Sequence, residues 1–271
     1  MNNKELYTRL KNILSEISEE DYPEIYNIIE NELNFSDEAV YEEAYNIAGE
    51  LHEADGTKIL PECVADFIID VYTDELNSGN VNAACDIGSL YYTGRAGEQN
   101  YKKAVEYYTI AADGGCRQAQ ENLGYCFYYG RDIPVDYEKA FHYFALGAFD
   151  GHLRSLYKIG DMYRNGYYVD KNEVEAFRIY MHCAQGLNED NIHLVGADIM
   201  MRLGDCFFKG IGTEVDNKQA LKHYQLAEQM YYERLESGDF LIKNCYKHVL
   251  KNQEEARQRL NDVLPGYEWT K

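Results

Sequence analysis

Gly88-Ser89-Leu90-Tyr91-Tyr92-Thr93-Gly94 returns as Gly124-Tyr125-Cys126-Phe127-Tyr128-Tyr129-Gly130. It returns again as Gly160-Asp161-Met162-Tyr163-Arg164-Asn165-Gly166 and as Gly204-Asp205-Cys206-Phe207-Phe208-Lys209-Gly210. Sixteen residues after each opening glycine stands an alanine (Ala104, Ala140, Ala176, Ala220), and twenty after it an aromatic (Tyr108, Phe144, Tyr180, Tyr224). A period of this size marks stacked supersecondary units, each too small to bury its own apolar face.

One unit builds itself as follows. The spacing predicts a helix A over about Gln118 to Tyr129, ended by Gly130, since glycine supplies the left-handed residue a helix terminus favours. Gly124 lies inside that helix, where glycine costs about 1 kcal/mol relative to alanine. A cost met four times at one position implies that a neighbour packs too close for a Cβ. Asp136 is an N-cap for helix B, Tyr137 to about Ala148, and Asn100, Asn172 and Asp216 hold the same place in the other copies. The opening glycines stand 36, 36 and 44 residues apart. The extra residues, Leu187 to Leu194, are rich in Asn and Asp, which favours a loop or a partly helical insertion.

Ahead of the four copies, Gly49 and Ala65 keep the sixteen-residue offset of a degenerate unit. Lys4 to Ile17 and Glu24 to Leu33 show helical apolar spacing, with Tyr22-Pro23 opening the second helix. Phe240 to Leu250 and Gln253 to Leu264 complete the far end as two further helices. The expected organisation is capping helices over 1–40, a degenerate repeat over 41–81, and repeats over 82–117, 118–153, 154–196 (with the insertion) and 197–232. Capping helices follow over 233–271.

The run Asn100-Tyr101-Lys102-Lys103-Ala104-Val105-Glu106-Tyr107-Tyr108-Thr109-Ile110-Ala111-Ala112-Asp113-Gly114-Gly115, placed after Gly-x-x-Tyr/Phe-x-x-Gly, resembles the Sel1-like repeat, a longer relative of the tetratricopeptide repeat. The lysine before the alanine becomes Glu175 and Gln219 in the later copies. The usual helix B tryptophan is Tyr107, Tyr143, Ile179 and His223 here. The resemblance implies an all-α fold, a right-handed α/α superhelix (solenoid) of helix-turn-helix repeats with helical caps. It also implies an adaptor or scaffold without catalytic residues.

By the same analogy helix A lines a concave groove. The residues that would face a bound protein or peptide are Tyr92, Glu121, Asn122, Tyr125, Tyr128, Tyr129, Tyr157, Asp161, Arg164 and Asp205. Tyrosine supplies contact area with a polar tip, and Asp161 with Asp205 would select basic groups.

Composition narrows the partner. The net charge is −21, from 26 basic and 47 acidic residues. That excludes nucleic acid and anionic membrane as partners, since both require clustered Lys and Arg. Residues 1–56 hold Lys4, Arg9 and Lys11 against fifteen acids, a net of −12. This supports a second reading, an acidic neutralising or immunity-type inhibitor of a basic toxin or enzyme. A hydrolase resembling the β-lactam-linked relatives ranks third, because the seven cysteines lack their regular pairing. Those cysteines read as buried thiols of a reducing cytoplasm, and neither an export leader nor a membrane span is expected. No histidine pair has metal-ligand spacing, and there is neither a Cys-x-x-Cys nor a phosphate loop, so the expectation is no metal, no cofactor and no catalytic group.

Overall fold

The computed structural model describes residues 3–34, 44–54, 58–237, 239 and 242–263, all in helices, turns and short connections. It divides into two compact units, Met1–Asp136 and Tyr137–Lys271. The division falls inside the second repeat, between its two helices.

The N-terminal unit begins with α1 (Asn3–Glu16) and α2 (Pro23–Asn34), with Pro23 in the first-turn position that tolerates a missing N–H. The pair α3 (Ala44–Glu53) and α4 (Glu62–Asn77) follows; residues 41–43 and 55–57 of this expected repeat lie outside the described residues. Nothing lies within 4 Å of where a Gly49 Cβ would be, so Gly49 is not a packing glycine. The centre of this pair is Tyr72, fully buried, with Tyr45 edge-on at 5.5 Å and His52 Nδ1 at 3.2 Å from its hydroxyl. Then come α5 (Val81–Thr93), α6 (Tyr101–Asp113) and α7 (Arg117–Tyr129). The core runs through Leu10, Ile25, Ile29, Ile47, Leu51, Phe67, Ile68 and Ile87.

The C-terminal unit holds α8 (Tyr137–Phe149), α9 (Leu153–Asn165), α10 (Glu173–Gln185), α11 (Ala197–Lys209), α12 (Asn217–Glu236) and α13 (Lys243–Val263). Its core joins Tyr180, Cys183, Leu203, Cys206, Tyr224, Tyr231, Val249 and Ala256. The insertion after Gly186 is partly helical. Asn188 accepts from the backbone N–H of Asp190 and Asn191, and Asn191 Nδ2 donates to the Gly186 carbonyl at 3.1 Å. A π-helical turn, Ile192–Gly196, then runs straight into α11.

The repeat glycines have a physical cause. A Cβ on Gly88, Gly160 or Gly204 would stand 2.6 Å from the ring of Tyr108, Tyr180 or Tyr224, the aromatic twenty residues on in the same repeat. Ring and glycine are therefore one lock, closing α5 on α6, α9 on α10 and α11 on α12. The second glycine ends helix A in the left-handed region at Gly94, Gly130, Gly166 and Gly210. Asn100, Asn172 and Asp216 cap the following helices, each side chain accepting a backbone N–H of the first turn.

The C-terminus differs from expectation. Two helices broken near Lys251-Asn252 are replaced by the single α13, because Asn252 is buried and hydrogen-bonded rather than a solvent-facing breaker. Phe240, Leu241 and Leu264 lie outside the described residues.

Candidate protein-interaction surface

The helix A faces of the two units have opposite chemistry. In the C-terminal unit the face is closed by its own ion pairs. Asp161, one residue after its glycine, accepts from the Tyr180 hydroxyl at 2.8 Å. It also accepts from Arg202 Nε at 2.7 Å and Arg202 Nη2 at 2.6 Å, a two-pronged contact between α9 and α11. Lys158 stands 3.6 Å away, and the Arg202 guanidinium lies over the Tyr157 ring at 4.3 Å. The next repeat copies the arrangement. Asp205 accepts from Tyr224 at 2.7 Å, from Arg164 at 3.3 Å and from His248 Nε2 at 2.8 Å. Asn252 Nδ2 donates to Asp205 at 3.3 Å and to the Tyr224 hydroxyl at 3.2 Å. Each aspartate thus ties its own helix A, its own helix B and the following helix together.

Asp161 and Asp205 are only 8% and 6% exposed. Their expected role of selecting basic groups is corrected on that ground: these carboxylates turn inward and are occupied by internal donors. Tyr157 is buried with them, and Arg164 is half-buried against Asp205. Burial alone would raise the Asp161 carboxyl, but the Arg202 charge and hydrogen bonds outweigh it and hold the group below the usual range. At Asp205 burial is outweighed by the His248 hydrogen bond and by Tyr224 and Lys209, holding it well below that range. Tyr180 and Tyr224 move the other way, burial and the adjacent carboxylate both disfavouring the phenolate.

Depressed carboxyls stabilise above their unfolded value of about 3.9 and lose that contribution as pH falls through the folded pKa. Raised phenols stabilise below about 10 and lose theirs as pH rises beyond it. Urea denaturation followed by circular dichroism is therefore expected to show stability falling below about pH 4 and above about pH 10. Asp161→Asn should flatten the acid limb.

In the N-terminal unit Ser89 and Tyr125 stand where the later repeats carry aspartate. Its α7 face presents rings. Tyr125 stacks on Tyr129 at 6.2 Å, Tyr128 meets Tyr129 edge-on at 4.9 Å, and Tyr129 is 49% exposed. Tyr92, half-buried, packs edge-on against Tyr101 at 5.1 Å. Between the Tyr101 and Tyr129 rings lies the guanidinium of Arg131, 5.4 Å and 5.3 Å from their centroids. Its Nε is buried without a protein hydrogen-bond partner, so ring faces hold this cation. Asn122 is half-buried, accepting from Gln118 Nε2 at 3.1 Å, and Glu121 is buried at 5% exposure. Sequence reasoning missed Arg131, whose one signal is its place directly after the terminating Gly130. It also missed His248 and Asn252. The Asp–Tyr pairs nineteen residues apart in the third and fourth repeats were the available sign of inward carboxylates.

Among the described residues no group of His, Cys, Asp and Glu could hold a metal ion, and no helix is long and apolar enough to cross a membrane. All seven cysteines are free; Cys126 and Cys206, buried at one repeat position, have thiols pushed up to about 12 by burial and are chemically quiet.

Fold and surface together define an all-α helical-repeat protein. The model of the Sel1 repeat matches residues 81–116, 117–152, 153–180 and 197–232, and the chain belongs to that family, whose repeats generally serve protein–protein interaction. A Sel1 repeat protein from Oxalobacter formigenes is similar in structure, with a TM-score of 0.53 and 22% identity over 74% of this chain and 79% of that one. So is c5321, a protective antigen present in uropathogenic Escherichia coli strains displaying an SLR fold, with a TM-score of 0.56 and 19% identity. That alignment covers 91% of this chain and 52% of the antigen, so this chain spans about half its length. The comparison with curated proteins gave no match.

Proposed function

We propose that the chain is a protein-interaction scaffold that binds a protein segment on the α5–α7 face of its N-terminal unit, and that it is not an enzyme. The observation that carries this reading is the ring cluster Tyr125, Tyr128 and Tyr129 with Arg131 held between Tyr101 and Tyr129. Tyrosine and arginine dominate binding energy at interfaces because they bring large rigid area with a polar tip. In the C-terminal unit the corresponding positions are aspartates turned onto internal donors, whereas on α7 Tyr129 is exposed and Tyr125 and Tyr128 are half-buried beside it. Tyr125→Ala combined with Tyr128→Ala is expected to weaken partner capture at least 100-fold while circular dichroism and melting temperature stay close to wild type. Unchanged capture by the double variant refutes this placement.

A second reading, neutralisation of a basic protein, is favoured by one further observation. The N-terminal unit carries 27 acidic residues against 9 basic ones, a net of −18, out of −21 for the whole chain. On α4, Glu62, Asp66, Asp70 and Asp74 stand exposed one turn apart, although like charges at that spacing disfavour a helix. An association rate falling at least ten-fold between low and physiological salt supports this reading; a salt-independent rate removes it.

A further inference from the structure

Arg131 carries a charge at a place where the repeat does not require one. It follows the glycine that ends helix A, as Arg95, Tyr167 and Ile211 do in the other copies. Arg95 is buried and donates to the Ala54 carbonyl at 2.7 Å. Tyr167 stacks on Tyr137 at 4.2 Å, and Ile211 is buried in the core, so a ring or an aliphatic chain fills the same place without charge. Arg131 is only half-buried. A guanidinium has five N–H donors, and this one makes a single hydrogen bond, from Nη1 to the Tyr101 hydroxyl at 3.5 Å, beyond the usual length. Among the described residues no carboxylate pairs with it, in a unit that holds 27 acidic residues. Arg164, Arg202 and Arg234, half-buried likewise, each hold an aspartate. The titratable neighbours on which the Arg131 charge acts are the Tyr92 hydroxyl and the Cys126 thiol, both kept neutral by burial.

We propose that Arg131 is the docking point for one carboxylate, the side chain of an Asp or Glu in the partner's bound segment. This rests on the α5–α7 reading above and adds the chemistry of its partner. The acid follows from the donors: a guanidinium short of acceptors is completed by a carboxylate, which takes two parallel N–H bonds from its fork. The position follows from the backbone, since the Arg131 N–H is fixed on the Cys126 carbonyl at 3.2 Å directly after the left-handed Gly130. The Tyr101 and Tyr129 rings then hold the planar head before any ligand arrives, so little side-chain freedom is lost on binding. Tyr129, 49% exposed, leaves apolar surface beside the cation for the flanking residues of the segment. That the acid is single follows from the field around it: a unit of net charge −18 repels an acidic run, so the segment is otherwise neutral or basic.

The test screens the full chain against a display library of random dodecapeptides and measures the selected peptides, fluorescein-labelled, by fluorescence anisotropy. The selected peptides are expected to share an Asp or Glu at one position. Replacing that residue by Asn or Gln should weaken binding about ten-fold or more. Against Arg131→Gln the same replacement should cost less than about two-fold, the mark of a direct pair. Arg131→Tyr, the side chain the third repeat uses at this place, is the second variant and should behave as Arg131→Gln does, with a melting temperature close to wild type. Peptides that need Tyr125 and Tyr128 but share no acidic position, or whose acid is indifferent to both Arg131 variants, overturn the proposal and leave the α5–α7 reading standing. An acid that depends on Arg131 in peptides indifferent to Tyr125→Ala with Tyr128→Ala supports the carboxylate and removes the α7 tyrosines from that reading. A library that yields no peptide overturns both.

Discussion

Arg202→Ala is expected to destabilise the C-terminal unit by about 3–5 kcal/mol, the cost of leaving a buried carboxylate without its cation. The Arg202 side chain is only 11% exposed, and it holds Asp161 by two short contacts at 2.7 Å and 2.6 Å. Tyr180 and Lys158 would remain on Asp161, but neither makes a two-pronged contact. Removing the arginine also uncovers the face of Tyr157. The Coulomb gain of such a pair only modestly exceeds the cost of dehydrating it. Arg202→Met with Asp161→Leu should therefore lose less than either single change to alanine. Urea denaturation of the three variants measures this, and a loss below about 1 kcal/mol for Arg202→Ala would mean that Asp161 is adequately solvated.

Tyr224→Ala is expected to cost a similar amount, about 3–5 kcal/mol, by a different route. The ring fills the space that Gly204 leaves empty, and its hydroxyl donates to Asp205 and accepts from Asn252. Tyr224→Phe keeps the ring and should cost about 1–3 kcal/mol, the range for leaving a buried acceptor short of a donor. Gly204→Ala gains about 1 kcal/mol of helix propensity, yet should still be destabilising, because its methyl would meet the ring at 2.6 Å. In the Tyr224→Ala background the same change should become stabilising. That reversal of sign is the signature of a glycine–ring lock, and simple additivity would rule the lock out.

The architecture was legible in the sequence because small and aromatic residues recur at fixed offsets, and one close approach explains the pairs Gly88–Tyr108, Gly160–Tyr180 and Gly204–Tyr224. The caps were legible for the same reason, Asn100, Asn172 and Asp216 being short side chains at one place in the repeat. Side-chain direction was not. The tyrosines twenty residues after the glycines read as apolar filling, while two of their hydroxyls in fact find Asp161 and Asp205. A carboxylate expected at a groove surface is thereby drawn inward. Periodicity records where an apolar group must go, but does not say which buried hydroxyl needs an acceptor. Asn252 misled in the opposite sense: a polar residue that breaks an apolar pattern also serves to satisfy a buried network. Arg131 follows Gly130 as Arg95 follows Gly94, a place that Tyr167 and Ile211 fill in the later repeats, so the offsets did not pair it with Tyr101 and Tyr129.

Tyr129, Asn165 and Lys209 stand at the same place, five residues after their glycines, in the second, third and fourth repeats. Replacing each in turn with a photo-crosslinking phenylalanine analogue, and irradiating the chain in lysate of its own source cells, compares the open face with the closed one at matched positions. The account predicts a specific adduct from position 129, lost in the Tyr125→Ala, Tyr128→Ala background, and none from 165 or 209. Adducts from 165 and 209 with nothing from 129 would contradict it.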